Sequence, residues 1–350
     1  MDLNTLILFV TSRCNARCET CFYWEDLNRP GDLTFEEIEA LSAGMPRFHE
    51  LWLSGGEPMM RPRLAEILGM FYHRNGVRTL NLPTNGLFAE RTLELMEYTS
   101  RELPGMEVNL NLALDGFAST HDRIRGVPGN FDQALETIRL LTDRESRLPG
   151  VRVHVNSVVT ADNIHELEDL GWWLTRNTDL NGHYFQVIRG EAKDPELKRI
   201  TRADLGDFYR TVKPIHEHYG RKLARRKGGS LRGWIKKLYY TQTIYFHYTL
   251  QERNFEASDS WPMACTAGKT ILVVDYNGDL RACELREKIL NLRDVNFDFR
   301  KAYSSRPVRG ETEQIVKDGC WCTHVCFIHD SLKASPRAKF FDIPLGAKVV

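Results

Sequence analysis

The stretch "TSRCNARCETCFYW", residues 11–24, places three cysteines close together, at Cys14, Cys18 and Cys21. It directly follows the apolar run "TLILFV", which has the composition of a buried strand. Polar residues separate the cysteines, which favours a loop at the strand's end over a stripe of a buried helix. Three thiols are one too few for a closed zinc site, but they suit an iron–sulfur cluster that leaves one iron open.

Composition excludes several classes of protein. Of the 350 residues, 42% are hydrophobic and 27% are charged, and the formal net charge is zero. No global field therefore attracts nucleic acid. The first apolar run is too short to span a bilayer, and no signal peptide is recognisable. We expect a cytoplasmic protein whose eight cysteines serve metal binding or catalysis rather than disulfides.

Strand-like runs alternate with helix-like stretches over the first part of the chain. One helix-like stretch, "TFEEIEALSAG", begins with a capping box formed by Thr34 and Glu37. The strand-like runs are "TLILFV" (5–10), "ELWLSG" (50–55), "VRTLNLPTN" (77–85), "EVNLNLALDG" (107–116), "VRVHVNSVV" (151–159) and "HYFQVIRG" (183–190). Six such units predict a parallel α/β sheet in an open, partial (βα)6 TIM-like barrel. A doubly wound sheet is the alternative.

The fourth and fifth runs each have one polar and one apolar face. Asn109, Asn111 and Asp115 alternate with apolar residues in the fourth run, and His154 and Asn156 alternate with valines in the fifth. The lumen of a closed barrel is normally packed with apolar side chains. A polar inner face therefore predicts a wet lumen that holds a polar ligand, with a solvent-exposed sheet face as the alternative.

Three further motifs stand where the second, third and fourth strands end. They are "SGGEP" (54–58), "TNG" (84–86) and "LDG…HDRIRG" (114–126). Barrel enzymes place their active sites at these strand ends. Together with the C-x3-C-x2-C loop, the motifs resemble the radical S-adenosylmethionine (radical SAM) superfamily, and the resemblance extends over about residues 5–335.

The resemblance implies an enzyme and its cofactors. Cys14, Cys18 and Cys21 would hold a [4Fe-4S] cluster whose open iron is chelated by the amino and carboxylate groups of SAM. One-electron cleavage of SAM would give a 5′-deoxyadenosyl radical that abstracts a hydrogen atom from a C–H bond. The implied SAM-binding residues are Ser54, Gly55, Gly56, Glu57, Pro58, Thr84, Asn85, Arg125 and Asn156.

The predicted contacts with SAM follow from general chemistry and from a family pattern that this sequence matches only in part. Gly55 and Gly56 would let the backbone approach the methionine of SAM closely. Arg125 would pair with the SAM carboxylate, or else be a solvated loop residue. Thr20 and Ala113 depart from the family pattern, because an aromatic residue and a serine usually stand there.

The other five cysteines lie near the C-terminus and resemble the auxiliary-cluster module called SPASM, or its shorter relative, twitch. They are Cys265, Cys283, Cys320, Cys322 and Cys326. The resemblance implies a second [4Fe-4S] cluster, which leaves one thiol spare, while a structural zinc ribbon is the alternative. Cys320 is nominated as the spare because its one-residue separation from Cys322 is awkward. A free thiol there could be catalytic and return a hydrogen atom to the substrate, or it could be inert.

Two further features mark the C-terminal half. In "ILVVDYNGDLRAC", Asn277-Gly278 predicts a two-residue hairpin turn between two strands. Residues 221–237 carry eight basic residues and no acidic one, and an aromatic run follows them. This basic, aromatic insert is either a solvated helix or a cap over an anionic group. The anionic group could belong to a membrane or a lipid-linked substrate that contacts residues 221–248.

These boundaries predict a radical SAM barrel in residues 1–215, the insert in 216–260, an auxiliary-cluster domain in 261–335 and a tail in 336–350. The resemblance implies an electron donor such as flavodoxin or ferredoxin. A polar lumen favours oxidation or rearrangement of a polar small-molecule or sugar-like substrate. A peptide-modifying maturase with a separate leader-binding partner is one alternative. A non-catalytic iron–sulfur or zinc scaffold, or a redox sensor, is another.

Overall fold

The computed structural model describes residues 2–144, 148–226, 230–256 and 261–344. Its described strands form a single sheet in the order β6-β5-β4-β3-β2-β1-β7-β8-β9. The strands are β1 Thr5–Thr11, β2 Glu50–Gly55, β3 Thr79–Thr84, β4 Glu107–Ala113, β5 Val151–Val159, β6 Gly182–Val187, β7 Ile271–Val274, β8 Asp279–Arg281 and β9 Leu290–Asn291. The first six run parallel in unbroken sequence order. This order confirms the open partial barrel, because a doubly wound sheet would reverse its strand order at one point.

Helices connect the strands and cover the outer face of the sheet. They are α1 Phe35–Gly44, α2 Leu64–Asn75, α3 Ala89–Glu102, α4 Ala118–Arg125, α5 Asn130–Thr142, α6 Leu167–Asn177, α7 Arg202–Thr211, α8 Lys213–Arg226, α9 Leu231–Asn254, α10 Phe299–Tyr303, α11 Arg306–Lys317 and α12 Val325–Ala334. α1 begins with the predicted capping box: the Thr34 hydroxyl accepts from the Glu37 N–H, and the Glu37 carboxylate accepts from the Thr34 N–H.

The two faces of the sheet have different partners. The apolar face of β4, with Val108, Leu110 and Leu112, is buried in the main core beneath the helices. On the inner face, Ile7 and Phe9 of β1 belong to a second core with residues of α9 and α12. Of the polar side chains that alternate along β4 and β5, Asn111 and Asn156 line a cavity. The polar lumen is therefore present.

The C-terminal hairpin continues the barrel sheet. β7 pairs in parallel with β1, and β8 pairs with β7 in antiparallel fashion. The turn differs from the prediction: the Asp275 N–H donates to the Asp279 carbonyl at 2.8 Å, which leaves a three-residue loop. Gly278 has φ 87°, the left-handed conformation required at the end of such loops. The predicted two-residue turn at Asn277-Gly278 is therefore one residue too short.

The basic, aromatic insert forms an antiparallel pair of helices, α8 and the 24-residue α9. Residues 227–229 and 257–260 of that predicted segment, and 345–350 of the predicted tail, lie outside the described residues. The second half of α9 is mostly buried, whereas its first two turns are mostly exposed. Across the described residues, no helix is both long enough and apolar enough to cross a membrane.

Candidate active site

The loop that carries the first three cysteines is fixed at both of its ends. At the end of β1, the Ser12 N–H donates to Asp32 at 2.9 Å, and the Cys14 N–H donates to Asn28 at 3.0 Å. Further along, the Arg17 N–H donates to the carbonyl of Arg125 at the end of α4. These bonds fix the backbone path of the loop, and therefore the positions from which its three cysteine side chains extend.

Burial disfavours the thiolate form of two of these cysteines. It raises the pKa of Cys14 to about 12 and the pKa of Cys21 to about 11. The Arg125 guanidinium lies 3.4 Å from the Sγ of Cys18. Metal binding requires thiolates, so a bound cluster would itself supply the positive charge that stabilises Cys14 and Cys21 in that form.

The SGGEP motif packs directly against the cysteine loop. The Gly56 N–H donates to the Thr11 carbonyl at 2.9 Å, and the Glu57 N–H donates to the Arg13 carbonyl at 2.8 Å. A Cβ on Gly55 would lie 2.3 Å from the Thr11 carbonyl oxygen, and one on Gly56 would lie 2.1 Å from that of Arg13. Both glycines are thus required for the contact between two strand-end loops. The close approach that the structure gives them is to the cysteine loop.

Glu57 joins the ends of β2 and β3. Its buried carboxylate accepts from the Thr84 hydroxyl at 2.9 Å, from the Asn85 N–H at 2.8 Å and from the Met59 N–H at 3.0 Å. Asn85 in turn donates to Asn15 of the cysteine loop at 2.8 Å. Glu57 is therefore a bracing residue that holds the TNG motif against the first cluster loop.

Three buried polar atoms around the site, one each on Asp115, Arg125 and Asn156, form no hydrogen bond. Asp115 is fully buried, and its Oδ1 accepts from the Val158 N–H at 2.7 Å. Its Oδ2 lies 3.4 Å from the Arg125 Nε but forms no hydrogen bond with it. The Asn156 Oδ1 is likewise buried without a partner. Buried polar atoms are almost always paired, so this set indicates a polar ligand between them.

One cavity, of 270 Å³, collects all of these groups at the carboxyl ends of the strands and opens to solvent. Every residue predicted for the SAM cluster and for SAM lines it: Cys14, Cys18, Cys21, Ser54, Gly55, Gly56, Glu57, Pro58, Thr84, Asn85, Arg125 and Asn156. Thr20 and Ala113, the two departures from the family pattern, also line it. The donor set therefore fits a thiolate-bound cluster with an adjoining polar, charged ligand.

The five C-terminal cysteines come together from three segments of the chain. Cys265 precedes β7, and Cys283 follows β8. Cys320 and Cys322 lie between α11 and α12, and Cys326 lies in the first turn of α12. All five belong to or pack on the second core. Within the described residues, no three His, Cys, Asp or Glu side chains lie close enough to hold a single metal ion between them.

Cys320 lies beside Cys265. A side-chain hydrogen bond from the Cys265 thiol lowers the pKa of Cys320 to about 6, and the nearby Arg286 adds to the shift. Cys320 is not among the described residues that line the cavity. A hydrogen-atom donor must reach the substrate, so the catalytic role considered for Cys320 has no support from its position.

A buried ionic chain connects the two groups of cysteines. Glu284, next to Cys283, accepts from the Arg189 guanidinium at 3.2 Å and from the Nε2 of His324. The Nδ1 of His324 accepts from the Cys326 N–H at 3.3 Å, which places the imidazole proton on Nε2. Arg189 lies 4.7 Å above the ring of Phe22, and both line the cavity. Burial alone would raise the pKa of Glu284, but His324 and Arg189 hold it at about 2.

Sequence analysis did not identify Arg189, Glu284 or His324. The signals were faint: Arg189 lies just beyond β6, where a barrel enzyme has a site-forming strand end. Glu284 and His324 are polar residues beside cysteines, and their pairing depends on a separation of 40 residues in the chain. No local sequence pattern predicts such a contact.

Comparison with known proteins finds relatives that match most of the chain. Residues 8–171 match the family model described as "Radical SAM superfamily". An AdoMet-dependent heme synthase of Oleidesulfovibrio alaskensis is 30% identical over 332 residues, covering 91% of this chain and 80% of that protein. The heme synthase of Nitratidesulfovibrio vulgaris is 27% identical over 330 residues, covering 91% and 84%.

A solved structure supports the fold. "Native anSMEcpe with bound AdoMet and Cp18Cys peptide" superimposes with a TM-score of 0.59 at 16% sequence identity, covering 90% of this chain and 83% of that one. At this level of identity the match shows the fold alone. The sequence relatives and the fold together confirm the predicted superfamily resemblance.

Proposed function

We propose that this chain, which belongs to the radical SAM superfamily, oxidises a carboxylate-bearing tetrapyrrole with the help of a second, auxiliary [4Fe-4S] cluster. The observation that carries the radical chemistry is a cavity in which three thiols of one loop adjoin Asp115, Arg125 and Asn156 atoms that form no hydrogen bond. When bound, the cluster and SAM would supply a radical that removes a hydrogen atom from an otherwise unreactive C–H bond.

The protein's own residues would position the cluster and SAM and would pair with their charges. Cys14, Cys18 and Cys21 would hold the cluster, and Arg125, whose guanidinium lies near Asp115 and Cys18, would pair with the SAM carboxylate. The Asp115 Oδ2, which is near Arg125 but forms no hydrogen bond, would accept one from a SAM donor group. Asn156 offers its free amide oxygen to the same ligand.

The C-terminal cysteines would take up the electron that an oxidation releases. Removing a hydrogen atom leaves a substrate radical, and a closed-shell product then requires loss of one more electron. A second cluster can accept this electron, and the Arg189–Glu284–His324 chain connects the cavity wall to the loop of Cys322 and Cys326. An external reductant such as flavodoxin or ferredoxin would supply the electron that cleaves SAM.

The substrate class comes from the relatives that match over most of the chain. Two of them are named heme synthases, and heme is a carboxylate-bearing iron porphyrin. The polar inner face of β4 and β5 and the Arg189 guanidinium at the cavity suit such a substrate. The peptide alternative has weaker support, because the peptide-bound structure shares only the fold with this chain.

The test is anaerobic reconstitution with iron and sulfide, followed by reduction and incubation with SAM. We expect 5′-deoxyadenosine to form, and its yield to rise when a propionate-bearing iron porphyrin is added. Mass spectrometry should then show a porphyrin product that has lost hydrogen or carboxylate carbon. A sugar and an unstructured peptide serve as the comparison substrates.

The outcomes separate the two parts of the proposal. If 5′-deoxyadenosine forms but only a sugar or a peptide stimulates it, the tetrapyrrole assignment is wrong and the radical chemistry stands. If a fully loaded protein forms none with any substrate, the scaffold or redox-sensor alternative replaces the enzyme.

A further inference from the structure

The first two turns of α9 expose an apolar stripe. Leu231 is 77% exposed, Ile235 58%, Trp234 54%, Leu238 51% and Tyr239 43%. Their spacing of three, four, seven and eight residues puts them on one face of the helix. These five make up half of the large hydrophobic residues that are exposed among the described residues. A concentration of this kind marks an interaction surface, whereas scattered exposed residues do not.

The opposite face of α9 packs against α8, so the stripe faces solvent. Gly220 of α8 lies so close to α9 that a Cβ there would be 3.0 Å from Cγ2 of Thr241 and 3.1 Å from Cγ of Lys237. The Lys237 ammonium pairs with Glu217 of α8 at 2.9 Å. Because α8 holds the other side, α9 cannot bury its stripe by rotating in place.

Basic side chains flank the stripe. Arg232 and Lys236 are exposed beside it on α9, and Arg221 and Arg225 are exposed on the neighbouring helix, α8. The segment 221–237 contains no acidic residue. Glu217, the acidic residue packed against this part of α9, is already paired with Lys237. The local charge is therefore strongly positive although the whole chain is neutral.

We propose that this stripe docks on an anionic lipid bilayer, with α9 lying in the plane of the interface. Apolar and aromatic side chains on one face, flanked by lysine and arginine, are the features of helices that bind at membrane interfaces. Trp234 and Tyr239 suit the headgroup level, where one end of the ring is apolar and the other is wet. None of the stripe's residues lines the cavity, so this proposal is independent of the proposed reaction.

Flotation of the full-length reconstituted protein with vesicles tests the surface. We expect co-flotation with phosphatidylcholine vesicles that contain phosphatidylglycerol, and much less with phosphatidylcholine alone. Added salt should weaken the binding because it screens the attraction between exposed charges. The double variant Trp234→Ser/Ile235→Ser should bind about a hundredfold more weakly, since each buried apolar side chain contributes about tenfold.

A matched control uses an equally exposed apolar residue elsewhere. Val316 of α11 is 59% exposed, and Val316→Ser should float like the wild type. Arg232→Gln/Lys236→Gln should lose binding to anionic vesicles and should lose the salt dependence with it. Circular dichroism and 5′-deoxyadenosine formation check that each variant remains folded.

Three results would overturn the proposal. One is an absence of wild-type flotation with anionic vesicles at low salt. Another is equal loss of binding in Val316→Ser, which would make the attraction non-specific. The third is a concentration-dependent dimer that Trp234→Ser/Ile235→Ser abolishes without changing flotation, which would assign the stripe to a second copy of the chain.

Discussion

The two groups of cysteines differ in how the chain assembles them. Cys14, Cys18 and Cys21 lie on one loop, half-buried, and face the cavity. The five C-terminal cysteines come from three segments, pack with the second core, and are absent from the described lining of the cavity. The first group is organised by local sequence at a strand end. The second exists only after the hairpin, α11 and α12 have come together. The first group therefore lies at an open cavity, and the second lies against a closed hydrophobic core.

The largest expected effect comes from removing the local group. Cys14→Ala/Cys18→Ala/Cys21→Ala should abolish 5′-deoxyadenosine formation, because the open iron that binds SAM would be lost. The C-terminal cysteines are on separate segments, so they should still bind iron. We expect about half of the wild-type iron, or about four of about eight atoms per chain, by chemical analysis. Wild-type 5′-deoxyadenosine formation by this variant would exclude the assignment.

A backbone change should damage the local group almost as strongly. Gly56→Ala would place a Cβ 2.1 Å from the Arg13 carbonyl oxygen, so the SGGEP loop must move away from the cysteine loop. We expect at least about a hundredfold loss of 5′-deoxyadenosine formation and a destabilisation of about 1–3 kcal/mol. Denaturant titration gives the second quantity.

Gly310→Ala is the matched control, since a Cβ there meets no atom within 4 Å. It lies within α11, where alanine is a better helix former than glycine. Its stability should equal or exceed that of the wild type. If Gly56→Ala were as active as Gly310→Ala, the two strand-end loops would not need their observed contact.

Much of the first site could be predicted from sequence, for the same reason that it is local. The six strands follow from apolar runs between helix-like stretches, and each motif directly follows its strand. The C-terminal half was less predictable. Pairing of β7 with β1 joins segments more than 260 residues apart, and nothing in either strand specifies the partner. The predicted hairpin loop at Gly278 is one residue shorter than the observed loop, because Asn-Gly is compatible with more than one hairpin geometry.

Breaking the ionic chain of Arg189, Glu284 and His324 should have a smaller effect on 5′-deoxyadenosine formation. Glu284→Gln would leave the Arg189 guanidinium and the His324 imidazole without their shared anion in a buried setting. Removing one partner of a buried ion pair costs about 3 kcal/mol, which denaturant titration should detect. We expect formation of 5′-deoxyadenosine to fall no more than about tenfold, because no SAM-binding group is touched.

Glu66→Gln serves as the control for this variant. Glu66 pairs with Arg63 at the surface, where both side chains are about half exposed. Exposed pairs contribute about 0–1 kcal/mol, so this change should leave stability nearly unaltered. Equal stability of Glu284→Gln and Glu66→Gln would mean that the chain between the two cysteine groups has no structural role.

The smallest effect on SAM cleavage concerns the spare thiol among the C-terminal five. The one-residue separation from Cys322 predicts that Cys320 is the spare thiol. In the structure, however, the Cys320 thiol contacts that of Cys265, and Cys322 is close to both. Cys326 lies beside Glu284 and Arg189, and Cys322 is close to it as well. Because Cys320 and Cys265 are in contact, we predict that Cys320 is a cluster ligand and that Cys326 is the spare.

Comparing two single variants decides between these assignments. We expect Cys320→Ala to lose about half of the iron and Cys326→Ala to keep about eight atoms per chain. Both should still form 5′-deoxyadenosine, since Cys14, Cys18 and Cys21 are intact. The opposite pattern of iron loss would restore the nomination from spacing. If both variants lost iron equally, both thiols would be ligands, and the spare would have to be Cys265, Cys283 or Cys322.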